Sequence, residues 1–157
     1  MSITVRRASE ADAEAISRLS ADVQEVHATA LPDLFKSPAA YSFPPAEIAE
    51  LIRAPESLLF LAEIDSQPVG YAYAEVIRRP DGPFRLAQEM VYLHHRSVRP
   101  DHRRKGVGDA LIGAWRTAAE ELGITLLALD VWSFNEAARR FFKHHGFTAY
   151  NERLWNR

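Results

Sequence analysis

Val98–Arg99–Pro100–Asp101–His102–Arg103–Arg104–Lys105–Gly106–Val107–Gly108 is the most informative run in the chain. It follows an extended segment and opens a helix. Gly106 and Gly108 lack Cβ atoms, so a ligand is free to approach the backbone closely. The first turn of a helix presents free N–H groups and the positive end of its dipole. Arg103, Arg104 and Lys105 add local positive charge to a chain whose formal net charge is −2. Together these features meet the requirements for holding a pyrophosphate. A Walker loop is excluded, because no Lys–Ser/Thr pair follows the second glycine. A Rossmann turn is excluded by the glycine spacing and by the hairpin series before it. A solvated basic turn and a nucleic-acid contact stay open as alternatives. The second is weakened by the lack of any other basic face.

Upstream of this run, Ile3 to Arg7 alternates as a strand does. Ser9 and Asp12 resemble a capping pair, and apolar residues at helical spacing predict a helix over 10–27. The proline-broken stretch 28–44 is expected to be a loop with at most one helical turn. Its aromatic content implies that it packs over something. Pro45 starts a helix to about Ala54. Leu58–Ile64 and Val69–Arg78 form a predicted hairpin around Asp65–Pro68. Arg85 to Val98 is a third strand, with blurred alternation that suggests a bulge.

Downstream, Val107 to Leu122 is a helix closed by Gly123. Ile124 to Val131 reads as a strand buried on both faces. Asn135 to His145 is a helix ending at Gly146, and Phe147 to Trp155 is expected as a last strand. Strand–helix–strand order implies one parallel pairing. The expected fold class is α/β, a mixed, mostly antiparallel sheet flanked by helices.

A length of 157 residues fits a single domain over 1–157. The 47% hydrophobic and 25% charged fractions exclude a mostly disordered chain. Zero cysteines exclude disulfides, thiolate metal sites and a cysteine nucleophile. No apolar run is long enough to span a bilayer, the N-terminus lacks a signal-peptide core, and no global charge attracts nucleic acid or membrane. A cytoplasmic protein is expected.

The Val98–Gly108 run resembles motif A of the GNAT family of N-acetyltransferases, Arg/Gln-x-x-Gly-x-Gly/Ala. Asn135–Glu136–Ala137–Ala138–Arg139–Arg140–Phe141–Phe142–Lys143–His144–His145–Gly146–Phe147 resembles motif B of the same family, Asn-x-x-Ala-x-x-Phe-Tyr-x-x-x-Gly-Phe. The resemblance implies a GNAT-like fold and direct transfer of acetyl from acetyl-CoA to an amine of a small molecule or peptide. It implies that Arg103, Arg104, Lys105, Gly106, Val107 and Gly108 wrap the pyrophosphate. Backbone near Val98 would pair with the pantetheine arm, at a splay between the strands ending at Val98 and Val131. Asn135 would contact the cofactor, and Phe142 would lie near the sulfur. Phe142 departs from the usual Tyr and cannot protonate a leaving thiolate. A CoA-binding regulatory module without transfer is therefore the alternative.

An attacking amine with a pKa near ~10 must lose a proton, so a general base is expected. Glu89, His94 and His95 are the candidates. Strict alternation puts Glu89 and His95 on one face and His94 on the other; a bulge would reverse this. Adjacent strand residues point to opposite faces, so no metal site is expected from the two histidines. Arg96 stands where the family usually has an apolar residue. His27, Phe35, Tyr41 and Tyr73 are candidates for lining the acceptor site, against a packing role for each. Trp132, Phe134 and Trp155 are suited to supporting a homodimer.

Overall fold

The computed structural model describes residues 2–38 and 42–157. Its elements are β1 (Ile3–Arg7), α1 (Ala13–Ala30), α2 (Pro45–Arg53), β2 (Ser57–Ile64), β3 (Gln67–Arg79), β4 (Gln88–Val98), α3 (Val107–Glu121), β5 (Leu127–Leu129) and α4 (Glu136–His144). The strands form one sheet in the order β1-β2-β3-β4-β5. The pairings are antiparallel except the last, β4 with β5, which is parallel. The mixed sheet expected from the element order is the sheet observed.

Each face carries its own core. Ala72, Ala74, Val91, Leu93 and Val98 meet Val107, Leu111 and the fully buried Trp115 of α3. Leu59, Leu61 and Tyr71 meet Ile16 and Leu19 of α1 and Ile48 of α2. Local signals fix the joints. The Ser9 N–H donates to Asp12 Oδ2 at 2.7 Å just before α1. Asp65 and Ser66 both take positive φ, 50° and 63°, which makes a two-residue hairpin turn that matches strand twist. The turn is therefore shorter than the predicted Asp65–Pro68, and β3 already starts at Gln67. Gly123 and Gly146, with φ of 71° and 88°, follow α3 and α4 as C-terminal glycines do.

Further elements differ from expectation. α1 runs on to Ala30, one turn into the predicted loop. β4 starts at Gln88 rather than Arg85, leaving Phe84 and Leu86 exposed. β5 is three residues long and half-buried, not Ile124–Val131 buried on both faces. Only its β4 side is paired, and Val131 is already exposed. Phe147–Trp155 forms no strand. Phe147 stacks on Trp115 with centroids 5.6 Å apart, but every residue from Thr148 onward is exposed. Alternation supplies a strand's pattern, yet a strand also needs backbone pairing along a sheet edge, which this segment does not make.

β3 and β4 cross closely at Gly70, where an added Cβ would lie 2.9 Å from the Ser97 carbonyl oxygen and 3.1 Å from Val107 Cγ1. Backbone cannot swing aside as a side chain can. Gly70→Ala is expected to cost roughly 1–3 kcal/mol of stability, read as a lower urea midpoint at unchanged slope.

Candidate active site

The site originates in an irregularity of β4. Tyr73 pairs with His95, but the next residue, Ala74, pairs with Leu93. His94 is the extra residue of a β-bulge, which resets the alternation. Glu89, Val91 and Leu93 share the α3 face with Arg78, Val76 and Ala74, whereas His95 and Ser97 share the α1 face with Tyr73 and Tyr71. Glu89 and His95 thus lie on opposite faces. His94 stays with Tyr73, stacked on its ring at 4.7 Å, and its Nε2 lies 2.8 Å from Glu75 Oε1. The bulge therefore puts both histidines on one side of the sheet, not on opposite faces. Even so, among the described residues no group of three or more His, Asp or Glu is placed to hold a metal ion.

Pairing between β4 and β5 ends at Leu93 and Leu129. From His94 to Val98, β4 is bonded on its β3 side only, and a cleft of about 400 Å³ opens beside it. The splay falls where the resemblance placed it, but the strands part earlier than Val98 and Val131. The cleft is walled by His94, His95 and Arg96 of β4, by Val23, Gln24 and His27 of α1, and by Asn135, Ala138 and Phe142 of α4.

His95 is closed in by Phe43, Tyr71 and Tyr73, with ring centroids 5.4, 6.4 and 5.7 Å away. Solvent reaches it from the open side of the cleft. Its pKa is pushed down to about 4, first by desolvation, then by His94 and His27. The ring is therefore neutral at neutral pH, as a proton acceptor must be. The Tyr71 hydroxyl lies 3.5 Å from His95 Nδ1, and burial holds the phenol well above its ordinary pKa. Tyr71 was not singled out from the sequence, although its register opposite Ser97 places it beside His95 on one face.

The basic run forms a 3-10 turn at Pro100–His102 and then a loop into α3. Arg104 and Gly106 both adopt positive φ, 61° and 87°. Ala110 is bonded back to Gly106, which leaves the N–H groups of Val107, Gly108 and Asp109 as the open first turn. Arg99 and His102 are held by Asp101. Arg103, Arg104 and Lys105 are exposed and form no ion pair among the described residues. The side chain of Val107 is buried in the core. The glycines play different parts. Gly106 supplies the left-handed turn. Gly108 makes room inside the protein, because a Cβ there would meet Arg96 Nη1 at 2.8 Å and Phe141 at 3.1 Å.

α4 completes the wall. Asn135 is its N-cap, and its Oδ1 accepts the Ala138 N–H at 3.1 Å. Phe142 is buried in the α3-side core and still borders the cleft. His145 Nε2 lies 2.7 Å from Asp109 Oδ1, and Arg116 donates to the His145 carbonyl at 2.6 Å, so α3 and α4 are clasped together.

Of the acceptor-site candidates, His27 borders the cleft, with Nδ1 bonded to the Val23 carbonyl at 2.7 Å. Phe35 packs edge-on against His27 at 5.1 Å and Trp132 at 5.2 Å. Tyr73 lies behind the two histidines, outside the cleft lining. Tyr41 lies outside the described residues. Glu89 is ion-paired with Arg78 at 2.9 Å and does not border the cleft. Trp132, Phe134 and Trp155 pack on one another within the chain, at 6.2 and 6.1 Å.

Residues 21–147 match the acetyltransferase (GNAT) family, and the chain belongs to it. A curated relative, an uncharacterized N-acetyltransferase from Lactobacillus delbrueckii subsp. lactis, is 26% identical over 107 residues. That match takes in 66% of this chain but spans only 59% of the relative. Among solved structures, a tetramutant of the BH1408 protein from Bacillus halodurans superposes with a TM-score of 0.92 at 22% identity, covering 98% and 99% of the two chains. An aminoglycoside N-acetyltransferase in complex with CoA superposes with a TM-score of 0.70 at 19% identity, covering 99% and 94%. Both share this fold. No helix among the described residues is long and apolar enough to cross a membrane.

The depressed His95 pKa has a consequence for stability. The unfolded chain takes up a proton near ~6.5, the folded chain only near about 4, so acid favours unfolding. Unfolding free energy is expected to fall as pH drops through that window and to lose this contribution's slope below it. Denaturant titrations of wild type and His95→Gln check this, and the variant should show the shallower decline.

Proposed function

We propose that this chain transfers the acetyl group of acetyl-CoA to a primary amine by direct attack in the cleft beside β4. The observation that carries the reading is an alignment. The unpaired edge of β4 from His94 to Val98 leads to the open N-terminus of α3 and its unpaired cations. An extended amide-bearing arm with a diphosphate at its far end matches both parts. The edge offers strand-like hydrogen bonds, and the helix terminus offers N–H groups and positive charge.

His95 acts as the general base. With Tyr71 accepting from Nδ1–H, Nε2 keeps the lone pair that takes a proton from the incoming ammonium. The freed amine attacks the thioester carbonyl carbon, and its oxygen becomes the oxyanion. Backbone N–H groups on the open β4 edge stabilise that charge. The adduct nitrogen gives up its second proton to a water, and the carbon–sulfur bond breaks, giving the neutral acetamide and the CoA thiolate. Phe142 has no proton to give, so the thiolate leaves as such and is protonated by water. A thiol pKa near ~8.5 makes this tolerable. His94, held by Glu75, and His27 with Phe35 form the acceptor side. The acceptor is a small molecule or peptide amine.

Calorimetric titration with acetyl-CoA, followed by thiol release with a panel of amines, tests the proposal. Binding with amine-dependent release is expected. Binding without release for any amine would favour an acyl-CoA-binding module instead. His95→Gln should lower kcat by roughly 10²–10⁴-fold while acetyl-CoA affinity is kept. An unchanged kcat removes His95 as the base.

A further inference from the structure

Arg96 is a half-buried cation that the reaction above does not use. It lies on the α3 face of β4, opposite Ala72, where the neighbouring residues form the core. Its guanidinium carbon sits 4.0 Å from the Phe141 ring centroid and 5.6 Å from that of Phe142. Its Nη1 fills the space that Gly108 leaves open. Nε is buried with no hydrogen-bond partner. The charges that act on it are Arg103, of like sign, and Asp109, which is already bonded to His145. Arg96 forms no ion pair among the described residues.

Ring faces return only part of what a guanidinium loses on leaving water. An apolar side chain of similar reach would suit this position better on packing grounds alone. The missing partner is therefore sought outside the chain. Arg96 borders the cleft and lies under the first turn of α3. The free N–H groups belong to that same turn, and of the loop cations Arg103 is near enough to act on Arg96.

We propose that Arg96 binds the diphosphate of the acyl-CoA from beneath, so that the anion is held between the α3 terminus and the Arg96 guanidinium. This rests on the acetyl-CoA reading above. A planar guanidinium engages two phosphate oxygens at once, which an ammonium cannot reproduce.

Arg96→Met and Arg96→Lys, compared with wild type by calorimetry against CoA and ADP, test the inference. Arg96→Met is expected to unfold at an equal or higher temperature without ligand. It should bind both CoA and ADP at least about tenfold more weakly. Arg96→Lys should recover only part of the loss. Should Arg96→Met fail to fold, Arg96→Gln serves with the same readout. Unchanged affinity for both ligands would make Arg96 a packing residue and overturn the inference. A loss for CoA but not ADP, or a loss in kcat alone, would move Arg96 to the thioester end and overturn it too. If wild type binds neither ligand, the acetyl-CoA reading itself fails, and this inference with it.

Discussion

Between Tyr73 and Ala74, β3 advances by one residue while β4 advances by two. The extra residue, His94, falls directly after Leu93, the last residue of β4 paired with β5. A bulge bends its strand and increases local twist. That change of course is what separates β4 from β5 and leaves one strand edge open. It also turns His95 and Ser97 toward α1, where Ser97 Oγ donates to the Leu19 carbonyl at 2.8 Å. Without the bulge, His95 would face the α3 core, and the cleft would lose its titratable wall.

α3 and α4 are tied to each other through His145, just past the end of α4. The Asp109–His145 and Arg116–His145 bonds hold α3 and α4 as one body over the sheet. Phe141, Phe142 and Phe147 fill the space between them and Trp115. The buried wall is thus set by packing, while the acceptor side is built from the end of α1 and the segment after it. There, Asp33 meets Arg157 at 2.6 Å, and Trp155 of the same tail meets Trp132.

Much of this was legible from local sequence. Alternation located β1 to β4, and glycines with helical periodicity located α3 and α4, because those signals are confined to a few residues. Long-range pairing was not legible. Phe147–Trp155 carries a strand pattern, but among the described residues it pairs with no strand, although the outer edge of β5 is open. β5 is narrow because its apolar flank Ile124 is buried by packing below α3 rather than by strand pairing. The bulge could be suspected, yet only register against β3 decides which of Glu89, His94 and His95 face the cleft. Tyr71 went unread for the same reason. The isolation of Arg96 depends on what α3 and α4 bring to it, which a linear pattern does not contain.

The loop from Arg103 to Lys105 concentrates positive charge, unpaired among the described residues, in a chain that is negative overall. A multiply charged anion is drawn toward such a loop before any contact forms. Its capture is then a matter of encounter rate as well as of fit, and the rate declines as added salt shortens the reach of the field to about 10 Å at 0.1 M.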